Sequence, residues 1–359
     1  MTQKSASEIE ITMLTGRILP PDENAMELSR MHWDSLAKPI GSLGRLEWAV
    51  TQIAGIQRTP RICIDKKALV IMCADNGVVE EGITQSGQDV TAVVAENFPD
   101  GKSCVSLMCR KSGTDLFPVD IGMAADVPRI ENRKTTYGTK NMARESAMTR
   151  RQAADAVLAG MQKVRELKAA GYQILATGEM GIGNTATSSA VAAVLLDLPV
   201  EKVTGRGSGL SSAGLKRKIR VIRQAIQVNR PDPGDPLDVL AKVGGLDIAG
   251  LAGVFLGGAC CGLPVVIDGL ISSAAALTAV RLAPACAPYM LASHVSKEPA
   301  AGMLLSALEK DAFLTCDMSL GEGSGAVALF PLLDLAAEVY GRMCCFEEAG
   351  ITPYERFSP

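Results

Sequence analysis

The sequence predicts an α/β protein built on a mostly parallel sheet, and three observations carry that prediction. Beyond about residue 60, short apolar runs alternate with longer helical patterns, the signature of strand–helix–strand units. Hydrophobic residues make up 47% of the chain and aromatics only 4%, so the core is built from Ala, Val, Leu, Ile and Met, as in helices layered on a parallel sheet. Glycines and polar residues follow the apolar runs, at the carboxyl ends of the expected strands, where folds of this kind bind ligands. The segments are Asp75-Asn76-Gly77, Asp120, Gly178-Glu179, Asp268-Gly269 and Ser293-His294, and their recurrence points to one shared site.

Residues 1 to about 60 read as amphipathic helix, interrupted at KPIGSLGRLE (Lys38–Glu47). ALVIMCADNG (Ala68–Gly77) is a buried strand running into a turn, and VTAVVAENF (Val90–Phe98) is a helix. TDLFPVDIGM (Thr114–Met123) is a second strand, and residues 150–168 form a charged amphipathic helix. YQILATGEMGIGNTATSSAVAAVLL (Tyr172–Leu196) reads as strand, glycine loop, helix. PVVIDGLISSAAALTAVRL (Pro264–Leu282) and PYMLASHVSKEPAAGMLLSAL (Pro288–Leu308) repeat the unit. Ile248–Ile267 is twenty residues without a charge, a length that spans a membrane. Five glycines and Pro264 interrupt it, however, and Asp247 and Asp268 bracket it. The expected structure is a helix ending near Gly257-Gly258, a turn, and a buried strand at Val265–Ile267.

At 359 residues and a net charge of −3, the chain has no basic cluster interleaved with aromatics, which argues against nucleic acid as a partner. The densest basic run, Lys216–Arg220, reads as a solvated helix face with one member free to reach an anion. Ten cysteines without a C-x-x-C, and two histidines, His32 and His294, argue against a zinc site. Unpatterned cysteines and the polar start MTQKSASEIE suit a reducing cytoplasm with no signal peptide.

Three glycine-rich motifs carry the chemistry. GEMGIGNT (Gly178–Thr185) follows a strand and opens a helix, whose unpaired amides and partial positive charge suit a phosphate. Its G-x-x-G-x-G spacing matches neither the dinucleotide fingerprint nor a nucleoside triphosphate loop. A single phosphate and a plain tight turn both remain open. GRGSGLSSAG (Gly205–Gly214) precedes the basic helix; Ser208, the loop amides and Lys218 could grip an anion, and a surface loop fits equally. In LGEGSGA (Leu320–Ala326) one carboxylate stands among three glycines. An ordinary helix start with Ser324 as N-cap explains it, and so does a carboxylate presented to a ligand on a thin loop.

Taken together, KPIGSLGRLE, ADNGV, GEMGIGNT, GRGSG, KVGGLDIAGLAG, VVIDGLISSAAALTAVRL, ASHVSKEP and LGEGSGA run in an order that resembles the nicotinate-nucleotide:dimethylbenzimidazole phosphoribosyltransferases, over about residues 30 to 340. The resemblance implies a Rossmann-like parallel sheet with flanking helices (residues 61–334) and a small helical domain combining residues 1–60 and 335–359. It implies a dimer with the site near the interface, and transfer of phosphoribosyl from nicotinate mononucleotide to an aromatic base, for the lower ligand of a cobamide. The family's catalytic base falls on Glu322, and Glu179 matches a second acidic residue. The phosphate and ribose side would be Gly181, Gly183, Asn184, Thr185, Gly207, Ser208, Lys218, Asp268, Gly269 and Ser296. Ser86 matches a serine of the acceptor pocket. The leaving pyridine departs neutral, so neither a metal nor another cofactor is expected.

The chain departs from the family pattern around the acceptor. Asn76 stands where the family usually has His, Val94 where it usually has Gln, and Ala300-Ala301 where Gly-His often follows Glu-Pro. Val94 makes the pocket more apolar. Some relatives use phenol or p-cresol, forming an O-glycosidic bond as pairs of unlike subunits. The dimer partner is therefore a second copy or a paralogue, and the chain itself either an active subunit or a structural one.

Overall fold

A computed structural model describes residues 4–355. The outermost ends of the expected helical domain, residues 1–3 and 356–359, lie outside the described residues. The chain opens with α1 (Ala6–Thr15), α2 (Glu23–Ser35) and α3 (Arg45–Gln57), followed by β1 (Lys67–Ala74), α4 (Asp89–Asn97), α5 (Cys104–Ser112), β2 (Thr114–Gly122) and β3 (Glu131–Asn132). Then come α6 (Arg150–Ala169), β4 (Ile174–Met180), α7 (Asn184–Leu195), α8 (Val200–Val203), α9 (Ser212–Asn229), α10 (Pro236–Val243) and α11 (Leu246–Cys261). The last elements are β5 (Val265–Ile267), α12 (Leu270–Leu282), β6 (Met290–Ala292), α13 (Ala300–Ala307), α14 (Ser324–Arg342) and α15 (Phe346–Ala349).

The six strands form one sheet in the order β3-β2-β1-β4-β5-β6, and every pairing is parallel. Helices cover both faces, and the strands show it. In β1, Ala68, Val70, Met72 and Ala74 enter one core while Leu69, Ile71 and Cys73 enter the other. A strand buried on both sides needs apolar residues at every position, which is why this segment reads as a continuous run. The strand order reverses between β1 and β4, the switch point at which open α/β sheets leave a crevice at the carboxyl ends.

The uncharged stretch lies in the core, and its helix is longer than expected. α11 runs through Gly257-Gly258 to Cys261 before β5 begins. Its glycines are there for packing. A Cβ on Gly253 would sit 1.9 Å from the Val157 carbonyl, and one on Gly160 would sit 2.1 Å from the Gly250 carbonyl, so α6 and α11 touch backbone to backbone. Among the described residues one helix, α14, is long and apolar enough to cross a membrane; it carries Pro331 and buries half of that window against the protein.

A third, smaller core of Trp33, Leu36, Val50, Ala336 and Tyr340 joins α2, α3 and α14. The KPIGSLGRLE loop folds around the buried pair Lys38–Glu47 (2.6 Å), whose carboxylate also accepts from the Leu43 amide (3.0 Å). α1 packs elsewhere, against α6 and α11, tied by Glu8 to Arg150 (3.0 Å).

Candidate active site

A cleft opens at the carboxyl ends of β4, β5 and β6, lined by the loop after each strand, the Thr84–Ser86 turn, α4 and the Ser319–Glu322 segment. Every residue that the family resemblance assigns to the site lines it except Lys218 and Asn76. Glu179, Gly181, Gly183, Asn184 and Thr185 come from the end of β4 and the loop and helix start that follow it, and Gly207 and Ser208 from the loop before α9. Asp268 and Gly269 follow β5, Ser296 follows β6, and Ser86, Val94 and Glu322 complete the wall.

The Glu322 loop is built from three consecutive left-handed residues, Gly321 (φ 87°), Glu322 (φ 60°) and Gly323 (φ 89°). That backbone accommodates glycine easily and a side chain rarely, so Glu322 is held in a costly conformation by what surrounds it. Asp268 supplies much of the hold. Its carboxylate accepts from the amides of Gly325 (2.7 Å), Ala326 (3.0 Å) and Gly323 (3.3 Å). Ser324 is therefore not the N-cap. Gly323 holds that position without a side-chain bond, and a carboxylate from the β5 loop satisfies the helix amides instead. Gly321 passes so close to Glu179 that a Cβ there would lie 2.5 Å from Oε1, which brings the two glutamates to one end of the cleft.

Burial governs the charges here. It raises the Glu322 carboxyl above its ordinary value, opposed by the Val105 amide at the first turn of α5, and Oε2 has no hydrogen-bond partner. Glu179 is pushed up to about 8, by burial first and then by the charge of Asp247. Asn184 donates its side-chain amide to Glu179 Oε2. Asp247, fully buried behind this pair, is itself pushed up to about 6 by burial, and its Oδ2 finds no partner.

Lys218 stands behind the wall, 1% exposed, with Nζ donating to Thr185 Oγ1 (2.7 Å) and the Gly205 carbonyl (3.3 Å). Burial lowers its pKa to about 8. Its neighbour Arg217 bonds the Gly82 carbonyl (3.2 Å), so the basic run is a surface face with one member turned inward.

The polar strand ends do not all converge. Asn76 is fully buried beneath the glycine loop, its amide directed at the Ile182 carbonyl (3.4 Å), and does not line the cleft. Asp75 accepts from the Ala124 amide (2.8 Å), and Asp120 accepts from Gly122 and Met123 and pairs with Lys134 (3.2 Å), so both stitch the β1–β2 end of the sheet. His294, expected among the strand-end residues, does line the cleft; Glu298 also lines it, unanticipated, and Asp247 sits behind it. Asp247 had a visible signal, as the only charge at the head of an otherwise uncharged helix; Glu298 had none beyond its place in ASHVSKEP.

The family model described as "Phosphoribosyltransferase" matches residues 18–351. The nicotinate-nucleotide–dimethylbenzimidazole phosphoribosyltransferase of Acetivibrio thermocellus is 48% identical over 92% of this chain and 95% of its own. That of Ruminiclostridium cellulolyticum is 47% identical over 92% and 94%. The crystal structure of CobT from Thermus thermophilus superposes with a TM-score of 0.87 at 38% identity, over 92% of this chain and 99% of that one. The fold is thus that of a phosphoribosyltransferase. The chain belongs to the nicotinate-nucleotide–dimethylbenzimidazole phosphoribosyltransferase family.

Proposed function

We propose that this chain transfers the phosphoribosyl group of nicotinate mononucleotide to a ring nitrogen of a dimethylbenzimidazole-type base, releasing nicotinate and forming an α-riboside phosphate for a cobamide's lower ligand. The observation that carries the reading is the meeting, in one cleft, of the strained Glu322 loop and the glycine loop, whose Thr185 is bonded from behind by Lys218. The donor's glycosidic bond breaks toward a pyridinium, so nicotinate leaves with the electron pair and its ring becomes neutral. One ring nitrogen of the acceptor forms the new bond with its lone pair, and the other ring nitrogen gives up its proton. Glu322 takes that proton, and burial raises its affinity for protons. Glu179, held by Asn184 and pushed up to about 8, is neutral at pH 7 and able to donate a hydrogen bond into the cleft. The amides of Gly181–Asn184, with Gly207 and Ser208, hold the 5′-phosphate, Lys218 supports them from behind through Thr185, and Ser296, Gly269 and Asp268 flank the ribose. Ser86 and Val94 face the acceptor ring. The ten unpaired cysteines suit a reducing cytoplasm, and the family reading carries the expectation of a dimer.

Val94 supports a second reading of the acceptor. Valine offers no hydrogen bond to the second ring nitrogen of a benzimidazole, whereas a phenol has one polar atom to satisfy. Nicotinate mononucleotide offered with a panel of benzimidazoles, purines and phenols, read by product mass, decides between them. A folded chain that makes no riboside from any of these refutes the reading. Glu322→Gln should keep donor binding and lower kcat by about 10²-fold or more; activity within about threefold of the parent means another group is the base.

A further inference from the structure

We propose that Glu298 sets the donor specificity of this site: its carboxylate competes with phosphate for the Gly207 amide and is released to the donor's ribose hydroxyls when the whole nucleotide binds. The proposal rests on the reading of Gly207, Thr185 and Lys218 as the anion cradle. Glu298 lies between β6 and α13 and lines the cleft. Its Oε1 accepts from the Gly207 amide at 3.0 Å. Its Oε2 is buried and has no hydrogen-bond partner. The loop presses on it so closely that a Cβ on Gly205 would lie 1.9 Å from Oε2.

Lys218, whose Nζ lies beside Gly207, does not neutralise this carboxylate by contact. Lys218 Nζ is committed to Thr185 Oγ1 and the Gly205 carbonyl, and among the described residues no ion pair within 4.0 Å joins it to Glu298. A negative group thus stands in the cradle meant for an anion, half satisfied. One amide proton cannot serve a carboxylate and a phosphate at full strength, and two anions side by side repel. A phosphate that takes the Gly207 amide must displace Glu298, whose Oε1 then loses its donor while Oε2 already has none. Inorganic phosphate brings nothing to repay that cost. A nucleotide brings two ribose hydroxyls, which are the donors a displaced carboxylate lacks. Free phosphate is excluded, and the nucleotide is admitted.

The test is calorimetric titration of the full chain with inorganic phosphate and, separately, with nicotinate mononucleotide. Glu298→Gln keeps a carbonyl for the Gly207 amide and removes the charge. Phosphate should bind about tenfold more tightly to it, while the nucleotide binds no better, so the preference for nucleotide over phosphate falls by about tenfold. Glu298→Ala should move the preference the same way, and either variant with a cooperative melt suffices. If Glu298 only anchors the loop, glutamine preserves the anchor and neither affinity moves, which overturns the proposal. Equal tightening of both ligands overturns it too, because the hydroxyls then play no part. A Lys218→Ala variant that still binds both ligands at parental affinity overturns the anion-cradle reading, and the proposal with it.

Discussion

Replacing Glu179 by glutamine should change how stability depends on pH more than it changes stability itself. The Glu179 carboxyl has an ordinary value of 4.5 and is pushed up to about 8 by burial, with Asp247, Asp268 and Glu322 adding negative charge around it. The folded protein therefore takes up a proton that the unfolded chain does not hold between about pH 4.5 and pH 8. A raised carboxyl contributes stability that is complete below the unfolded value and is lost as pH rises through the folded one. At 1.36 kcal/mol per unit the full loss is on the order of 5 kcal/mol. Asp247, itself pushed up to about 6, is one of the charges that raise Glu179, so part of that loss belongs to the pair and not to Glu179 alone. Glutamine keeps a carbonyl for the Asn184 amide, occupies the same volume and carries no charge at any pH. In urea unfolding between about pH 5 and pH 9, the variant should gain on the parent steadily through the window and reach a plateau near pH 8. Its activity should also lose whatever part of the alkaline limb comes from ionising Glu179. A stability difference that stays flat across that range, in two variants of equal m-value, refutes the argument that burial holds this proton.

Three further outcomes follow from the same geometry. Val94→Gln should shift relative kcat/KM from p-cresol toward 5,6-dimethylbenzimidazole by about tenfold, equal to some 1.4 kcal/mol, measured by competition; an unchanged product ratio means the acceptor is read elsewhere. Asp268→Ala strips the cap from α14 and frees the Glu322 loop, so Tm should fall by several degrees and kcat should fall with it; a variant that melts lower yet turns over normally separates the cap from the chemistry. Activity should survive excess EDTA, and nicotinic acid riboside, lacking the phosphate, should be a donor about 10²-fold poorer in kcat/KM; strict dependence on a divalent cation would contradict the proposed mechanism.

Local pattern is enough to give the class of fold and the neighbourhood of the site. Strands buried on both faces leave uninterrupted apolar runs, and helices on a sheet leave a 3.6-residue period, so β1, β4, β5 and the helices after them are legible from local pattern alone. Glycine loops after those strands are equally local, which is why residues 178–185, 205–209 and 320–325 stand out as motifs without any geometry. What tertiary structure alone decided is where each polar side chain spends its hydrogen bonds. Asp75, Asp120 and Asp268 all fall at strand ends and look alike in sequence. Packing turns the first two toward the β1–β2 end of the sheet and aims the third at a helix start 55 to 58 residues away. Ser324 lost the N-cap to that distant carboxylate, and α11 ran on through two glycines because α6 and β5 press against them. Lys218 was one charge in a basic run until the α9 fold turned it inward to Thr185. Glu298 faces Gly207 only because the loops after β6 and before α9 meet. Local period reports which elements form; the partner of a buried donor or acceptor is set by chain segments far apart in sequence, and no local pattern encodes that distance.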